Sequence, residues 1–144
     1  VYGVAPDLPP LLRFGSWVGG DMDGNPNVGA NTIRETLDTH RTLVLYLYET
    51  EATELARRLS QSLSRVTVSE AVNTRLQQYR ELLPEAAAEL RPRHLEMPYR
   101  CLLLLMVERL KATRAHRAPA GYASSADLIA DLDLIADSLR THRG

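Results

Sequence analysis

Residues 31–65 contain neither proline nor glycine. That gap in helix breakers constrains the fold more than any other feature. Apolar residues recur within it at Ile33, Leu37, Val44, Tyr48, Leu55, Leu59 and Leu63, in steps of four and seven that draw one face of a helix. Thr32-Ile33-Arg34-Glu35 has the spacing of a capping box, with a hydroxyl and a carboxylate three apart to satisfy orphan amides, so the helix is expected to start near Thr32. At 1.5 Å per residue it would run roughly 50 Å, longer than a small isolated domain needs. Its stripe also exceeds those further along the chain, so part of it is expected to meet something other than the helices that follow.

Those helices are read from caps and breakers. Ser69 caps a second helix with Val72, Leu76, Tyr79 and Leu83 inward; Pro84 stops it or starts a short turn through Leu90. Arg91-Pro92-Arg93-His94 is a basic link, read as a polar connector rather than an effector site. Pro98 suits the first turn of a third helix that runs to about Arg117. Its centre, Cys101 to Val107, is apolar all round and implies burial on several sides. Ala118 to Ala123 reads as a loop. Ser124 or Ser125 caps a fourth helix with Leu128, Leu132, Ile135 and Leu139 on one stripe, and Gly144 suits its C-terminal cap. No strand alternation is long enough to demand a sheet. The expected fold is all-α, long helices packed as an irregular bundle. Residues 1–30 form an extended segment and loop and residues 31–144 the helical region, as one domain or part of one.

Composition excludes several classes. The 144 residues carry a net charge of −1, which points to no nucleic-acid or acidic-membrane partner. Of 17 basic residues all but Lys111 are arginine, read as genome composition rather than as anion recognition. The lone cysteine, Cys101, has no intrachain disulfide partner and falls in an apolar run, so it reads as a buried, inert thiol. The longest apolar run is too short to span a bilayer, and no leader pattern is visible, which favours a cytoplasmic protein. His40, His94, His116 and His142 are dispersed without a ligand partner at zinc spacing, so no metal site is expected on them. Glu49, Glu51 and Glu54 read as a solvated face of the first helix, with Glu54 placed to pair with Arg58. The chain opens without Met in a proline-rich stretch and is expected to be an internal piece of a longer polypeptide.

One segment carries chemistry. Gly19-Gly20-Asp21-Met22-Asp23-Gly24-Asn25-Pro26 packs three glycines, two carboxylates and an amide into eight positions. Such a loop can approach a ligand closely, hold an arginine from elsewhere or bind a metal; its plain reading is a turn before a helix. Three motifs fail on it. Counted from Asp21 as an EF-hand, position 6 is Pro26 and position 12 is Thr32, where Gly and Glu are required. Gly19-Gly20 is not a dinucleotide fingerprint, and no Gly-Lys-Ser/Thr follows to make a P-loop.

The run Phe14-Gly15-Ser16-Trp17-Val18-Gly19-Gly20-Asp21-Met22-Asp23-Gly24-Asn25-Pro26-Asn27-Val28 resembles the F-x-S-W-x-G-G-D-R-D-G-N-P-x-V signature of the phosphoenolpyruvate carboxylase family. Thr32 to Leu37, Ala56 to Ser60, Met97-Pro98-Tyr99-Arg100 and Tyr122 to Leu139 are similar to bacterial members, so the resemblance covers nearly the whole chain. Met22 stands where many members have Arg, and the charge of that Arg is missing here.

The resemblance implies a cytoplasmic, mostly helical α/β-barrel enzyme, homo-oligomeric and tetrameric. It would carboxylate phosphoenolpyruvate with bicarbonate to give oxaloacetate and phosphate, with Mg²⁺ or Mn²⁺ and an arginine clamp stabilising an enolate. The family's T-A-H-P-T-E segment, its G-R-G-G loop and its metal carboxylates do not occur between Val1 and Gly144. No catalytic residue and no metal ligand is therefore assigned to this chain. Trp17 carries over as a wall of the substrate pocket. Gly19, Gly20, Asp21, Asp23, Gly24 and Asn25 carry over as the active-site loop, with the polar residues holding the loop and its neighbours. A stand-alone helical interaction module that keeps an enzyme-like loop without activity remains the second reading.

Overall fold

The computed structural model describes residue 15, residues 25–64 and residues 67–142, and it divides into two units, Val1–His40 and Arg41–Gly144. Five α-helices and a 3-10 turn account for most of the described residues, and no strand occurs among them. The all-α expectation holds. Gly144 lies outside the described residues.

Helix α1 covers Ala30–Arg58. It starts two residues before the expected Thr32, because Thr32 works inside the first turn rather than as its cap. Its Oγ1 donates to the Asn27 carbonyl at 2.9 Å and lies 3.4 Å from the Gly29 amide. The helix also stops short of residue 65. Past Leu59 the chain is rich in serine, which offers the backbone local alternatives to helix. Ser62 Oγ accepts from the Ser64 amide at 3.3 Å, and the Leu63 amide leaves the helical ladder for the Glu96 carbonyl at 2.9 Å.

The inward stripe of α1 is a second correction. Leu45, Glu49 and Ala56 are buried, whereas Leu37, Val44 and Tyr48 are exposed. Steps of 3.6 residues place 45, 49, 52 and 56 on one face, so the core-facing stripe sits beside the one drawn by the larger apolar residues.

The most buried element is α4, Pro98–Arg114, ten of whose seventeen residues are buried. The all-round apolar stretch from Cys101 to Val107 is its centre, as the sequence implied. Helix α2, Glu70–Leu82, packs on α4 through Val72, Leu76 and Tyr79, with Leu83 half-buried at its end. Prolines set the joints. Leu83 precedes Pro84 and is driven out of helical conformation, with φ −128°, so α2 ends and Pro84 opens the short α3, Pro84–Ala88. Arg91 and Met97 play the same part before the 3-10 turn Pro92–His94 and before α4.

Helix α4 stops at Arg114 in a Schellman motif. His116 takes φ 54°, its amide donates to the Thr113 carbonyl, and Arg117 donates back to Ala112 at 2.8 Å. Helix α5, Ser125–His142, begins with a reciprocal cap. Ser124 Oγ accepts the Asp127 amide at 3.3 Å while Asp127 Oδ2 accepts the Ser124 amide at 3.0 Å. Its buried positions are Asp131, Ile135 and Ser138; Leu128 and Leu139 flank them half-buried, and Leu132 is exposed. The expected leucine stripe is thus displaced by one position, with two polar residues at its centre.

Candidate functional site

Of the loop singled out by sequence, the structure describes the exit. The Val28 amide donates to the Asn25 carbonyl at 3.1 Å and closes a β-turn, with Pro26 where its fixed φ is favoured. Asn25 Oδ1 accepts the Asn27 amide at 3.0 Å, and Thr32 ties Asn27 to the first turn of α1. Asn25 thereby fixes the direction in which the chain enters the helix. Trp17, Gly19, Gly20, Asp21, Met22, Asp23 and Gly24 lie outside the described residues.

In the second unit, charge collects around Asp131, which is 0% exposed. Arg75 pairs with one of its carboxylate oxygens, and the Tyr79 and Tyr122 hydroxyls both donate to the other, Tyr122 at 2.8 Å. Arg109 lies against both rings, 4.7 Å from the centroid of Tyr79 and 4.0 Å from that of Tyr122. It donates to the Tyr79 hydroxyl at 2.5 Å and to the Gly121 carbonyl at 2.8 Å. Burial first, and then the hydrogen bond to Asp131 and its charge, raise the Tyr79 phenol; burial followed by the negative charge of Asp131 pushes the Tyr122 phenol well above the usual tyrosine range. Burial opposes the charge on Arg75, yet its contacts with Tyr79 and Asp131 hold its pKa above the ordinary value. The cluster joins α2, α4, α5 and the 115–124 connection. Sequence reasoning missed it. The available signal was a carboxylate on the 3.6-residue line between Leu128 and Ile135.

A second ion pair corrects the reading of Glu49 as solvated. Glu49 is 8% exposed, and Arg114 grips both its oxygens, at 2.7 and 3.2 Å. Hydrogen bonding to Glu49, followed by its charge, raises the Arg114 pKa. The expected Glu54–Arg58 pair forms at 3.1 Å.

His94 is likewise more than a connector: it is 6% exposed and neither ring nitrogen has a hydrogen-bond partner among the described residues. Burial, then the charges of Arg100, Arg93 and Arg91, depress its pKa. Its carbonyl accepts from the Cys101 thiol at 3.0 Å, and burial raises that thiol, in keeping with an inert cysteine. Among the described residues no three His, Cys, Asp or Glu side chains come together to hold a metal ion, and no helix is long and apolar enough to cross a membrane.

An apolar groove of about 440 Å³ lies between α1, α4 and α5 in the second unit. Leu55, Met106, Leu110 and Leu128 line it, with Glu51 and Arg58 among its polar lining residues.

Comparison with known proteins accounts for the chain as a sequence. A family model described as phosphoenolpyruvate carboxylase matches residues 2–144. A curated phosphoenolpyruvate carboxylase of Xanthomonas oryzae pv. oryzae is 55% identical over 143 residues, covering 99% of this chain and 16% of that relative. One from Xanthomonas euvesicatoria pv. vesicatoria is 54% identical with the same coverage. One from Azorhizobium caulinodans is 37% identical, covering 92% of this chain and 15% of the relative. No solved structure matches. The chain thus spans about one sixth of the length of the curated relatives it matches.

Proposed function

This chain belongs to the phosphoenolpyruvate carboxylase family, and we propose that it works as one portion of a carboxylase that joins bicarbonate to phosphoenolpyruvate. The products are oxaloacetate and inorganic phosphate: a carbon–carbon bond forms at the methylene carbon of phosphoenolpyruvate, and its phosphate ester is cleaved. The observation that carries the reading is 55% identity across 99% of the chain to a curated carboxylase. Nothing comparable favours an independent interaction module.

Within that reading Trp17 forms part of the apolar wall beside phosphoenolpyruvate and bicarbonate. Gly19, Gly20, Asp21, Asp23, Gly24 and Asn25 form the loop that holds the wall in place. The described turn at Asn25 supports this assignment, because it anchors the C-terminal end of the loop on α1. The Mg²⁺ or Mn²⁺ of this reading rests on the family resemblance, and no step is assigned to a metal on the described residues. A cytoplasmic location and a homo-tetrameric assembly belong to the same reading and rest on the family resemblance.

The test is made on the intact polypeptide that carries this sequence. Oxaloacetate formation, followed by coupled reduction, should require both phosphoenolpyruvate and bicarbonate; turnover without bicarbonate dependence would overturn the proposal. Trp17→Ala should leave the melting temperature nearly unchanged while raising the bicarbonate KM or releasing phosphate without carboxylation, because a loosened pocket admits water. A merely structural tryptophan would instead cost about 3–5 kcal/mol of stability and leave the kinetics of the folded enzyme intact.

A further inference from the structure

The groove between α1, α4 and α5 is built like a seat for another helix. Its lining residues on α1 run from Tyr48 to Arg58, about 15 Å of helix. Its lining is dominated by apolar side chains, yet Tyr48, Ile129 and Leu132 on its walls are substantially exposed, Ile129 by 54%. Leaving such an apolar surface in water is unfavourable. A concave surface is not complementary to itself, so an isologous pair of grooves does not cover it; it needs a convex occupant. An amphipathic helix presenting side chains at i, i+3, i+4 and i+7 has that shape. The polar lining adds a charge requirement. Glu54 is already paired with Arg57 and Arg58, each at 3.1 Å, while Glu51 enters no ion pair among the described residues. The source of the occupant follows from length: this chain covers only 16% of the Xanthomonas oryzae pv. oryzae carboxylase that it matches.

We propose that this groove seats an amphipathic α-helix supplied by a part of the same polypeptide beyond residues 1–144, with a cationic side chain set against Glu51. This rests on the reading of the chain as one portion of a longer carboxylase. It adds the place where that longer polypeptide docks and the chemistry of the docking segment.

A photo-crosslinking amino acid placed at Ile129 of the intact polypeptide tests the occupant directly. The expected product migrates as a single chain and maps by mass spectrometry to one face of a helical segment outside residues 1–144. A product joining two copies, or no protein adduct at all, overturns the proposal. Ile129→Cys gives a milder second measurement. The introduced thiol should react with a maleimide at least about tenfold more slowly in the folded polypeptide than in denaturant, since access then requires local opening. Equal rates overturn the proposal. Neither readout uses carboxylase turnover, so failure here is distinct from failure of the activity assay.

Discussion

Asp131 sits in the core with an arginine and two phenols around its carboxylate. Removing one member of such a buried set leaves the others desolvated and unpaired, which costs more than the contact itself contributes. Asp131→Ala should therefore lower stability by about 3–5 kcal/mol in denaturant unfolding. A loss under about 1 kcal/mol would show that water replaces the carboxylate. His94 gives a pH signature. Its pKa in the fold lies below the ordinary value of 6.5, so between the two values the unfolded chain binds more protons than the folded one. Stability linked to His94 is then complete above pH 6.5 and is lost as the pH falls below it. His94→Gln removes that titration, so its stability should depend less steeply on pH between 7 and 5, by at most about 1.4 kcal/mol per pH unit. Parallel slopes for the two proteins would remove His94 from the account.

Joints decide the element scale. Pro84, Pro92 and Pro98 each open a helical turn, and each preceding residue leaves helical conformation. The turn after α4 depends on close approach instead. Gly121 lies so near Thr113 that an added Cβ would fall 2.9 Å from its Cα and backbone nitrogen. Those atoms belong to a helix backbone and do not yield as a flexible side chain does. Gly121→Ala should accordingly cost about 1–3 kcal/mol, as overpacking does, in thermal or denaturant unfolding. The same change would disturb the Tyr122 amide, which donates to Thr113 Oγ1 at 2.6 Å, and so reach the Asp131 cluster. Wild-type stability in this variant would show that α5 and its connection shift at little cost.

For the whole molecule, apolar residues left in water match a chain that spans about one sixth of its relatives. Leu43, Leu47 and Tyr48 on α1 and Ile129 on α5 are each more than two-fifths exposed. Contiguous apolar surface of that kind drives association. The 144-residue chain on its own is expected to sediment as concentration-dependent oligomers and to form no oxaloacetate, since the family motifs for the catalytic histidine and arginine clamp do not occur in it. Metal-dependent turnover by the purified chain would contradict this, as would a strictly monomeric species at high concentration.

The sequence by itself determined the family, through fixed residues from Phe14 to Val28, and the helical class, through breakers and caps at Pro84, Pro98 and Ser124. Those signals are local: a proline or a cap acts on the backbone beside it whatever the rest of the chain does. The tertiary structure alone decided which side of α1 and α5 faces inward. The spacing of apolar residues favoured Val44, Tyr48 and Leu132, but the buried face follows Leu45, Glu49, Asp131 and Ser138. The reason is that partners many positions away set the cost of burying a polar group. Arg114 makes Glu49 tolerable inside, Arg75, Tyr79 and Tyr122 do so for Asp131, and Tyr99 and the Ser69 amide do so for Ser138. Periodicity within one helix carries no record of such partners, since each belongs to another element brought near only by the fold.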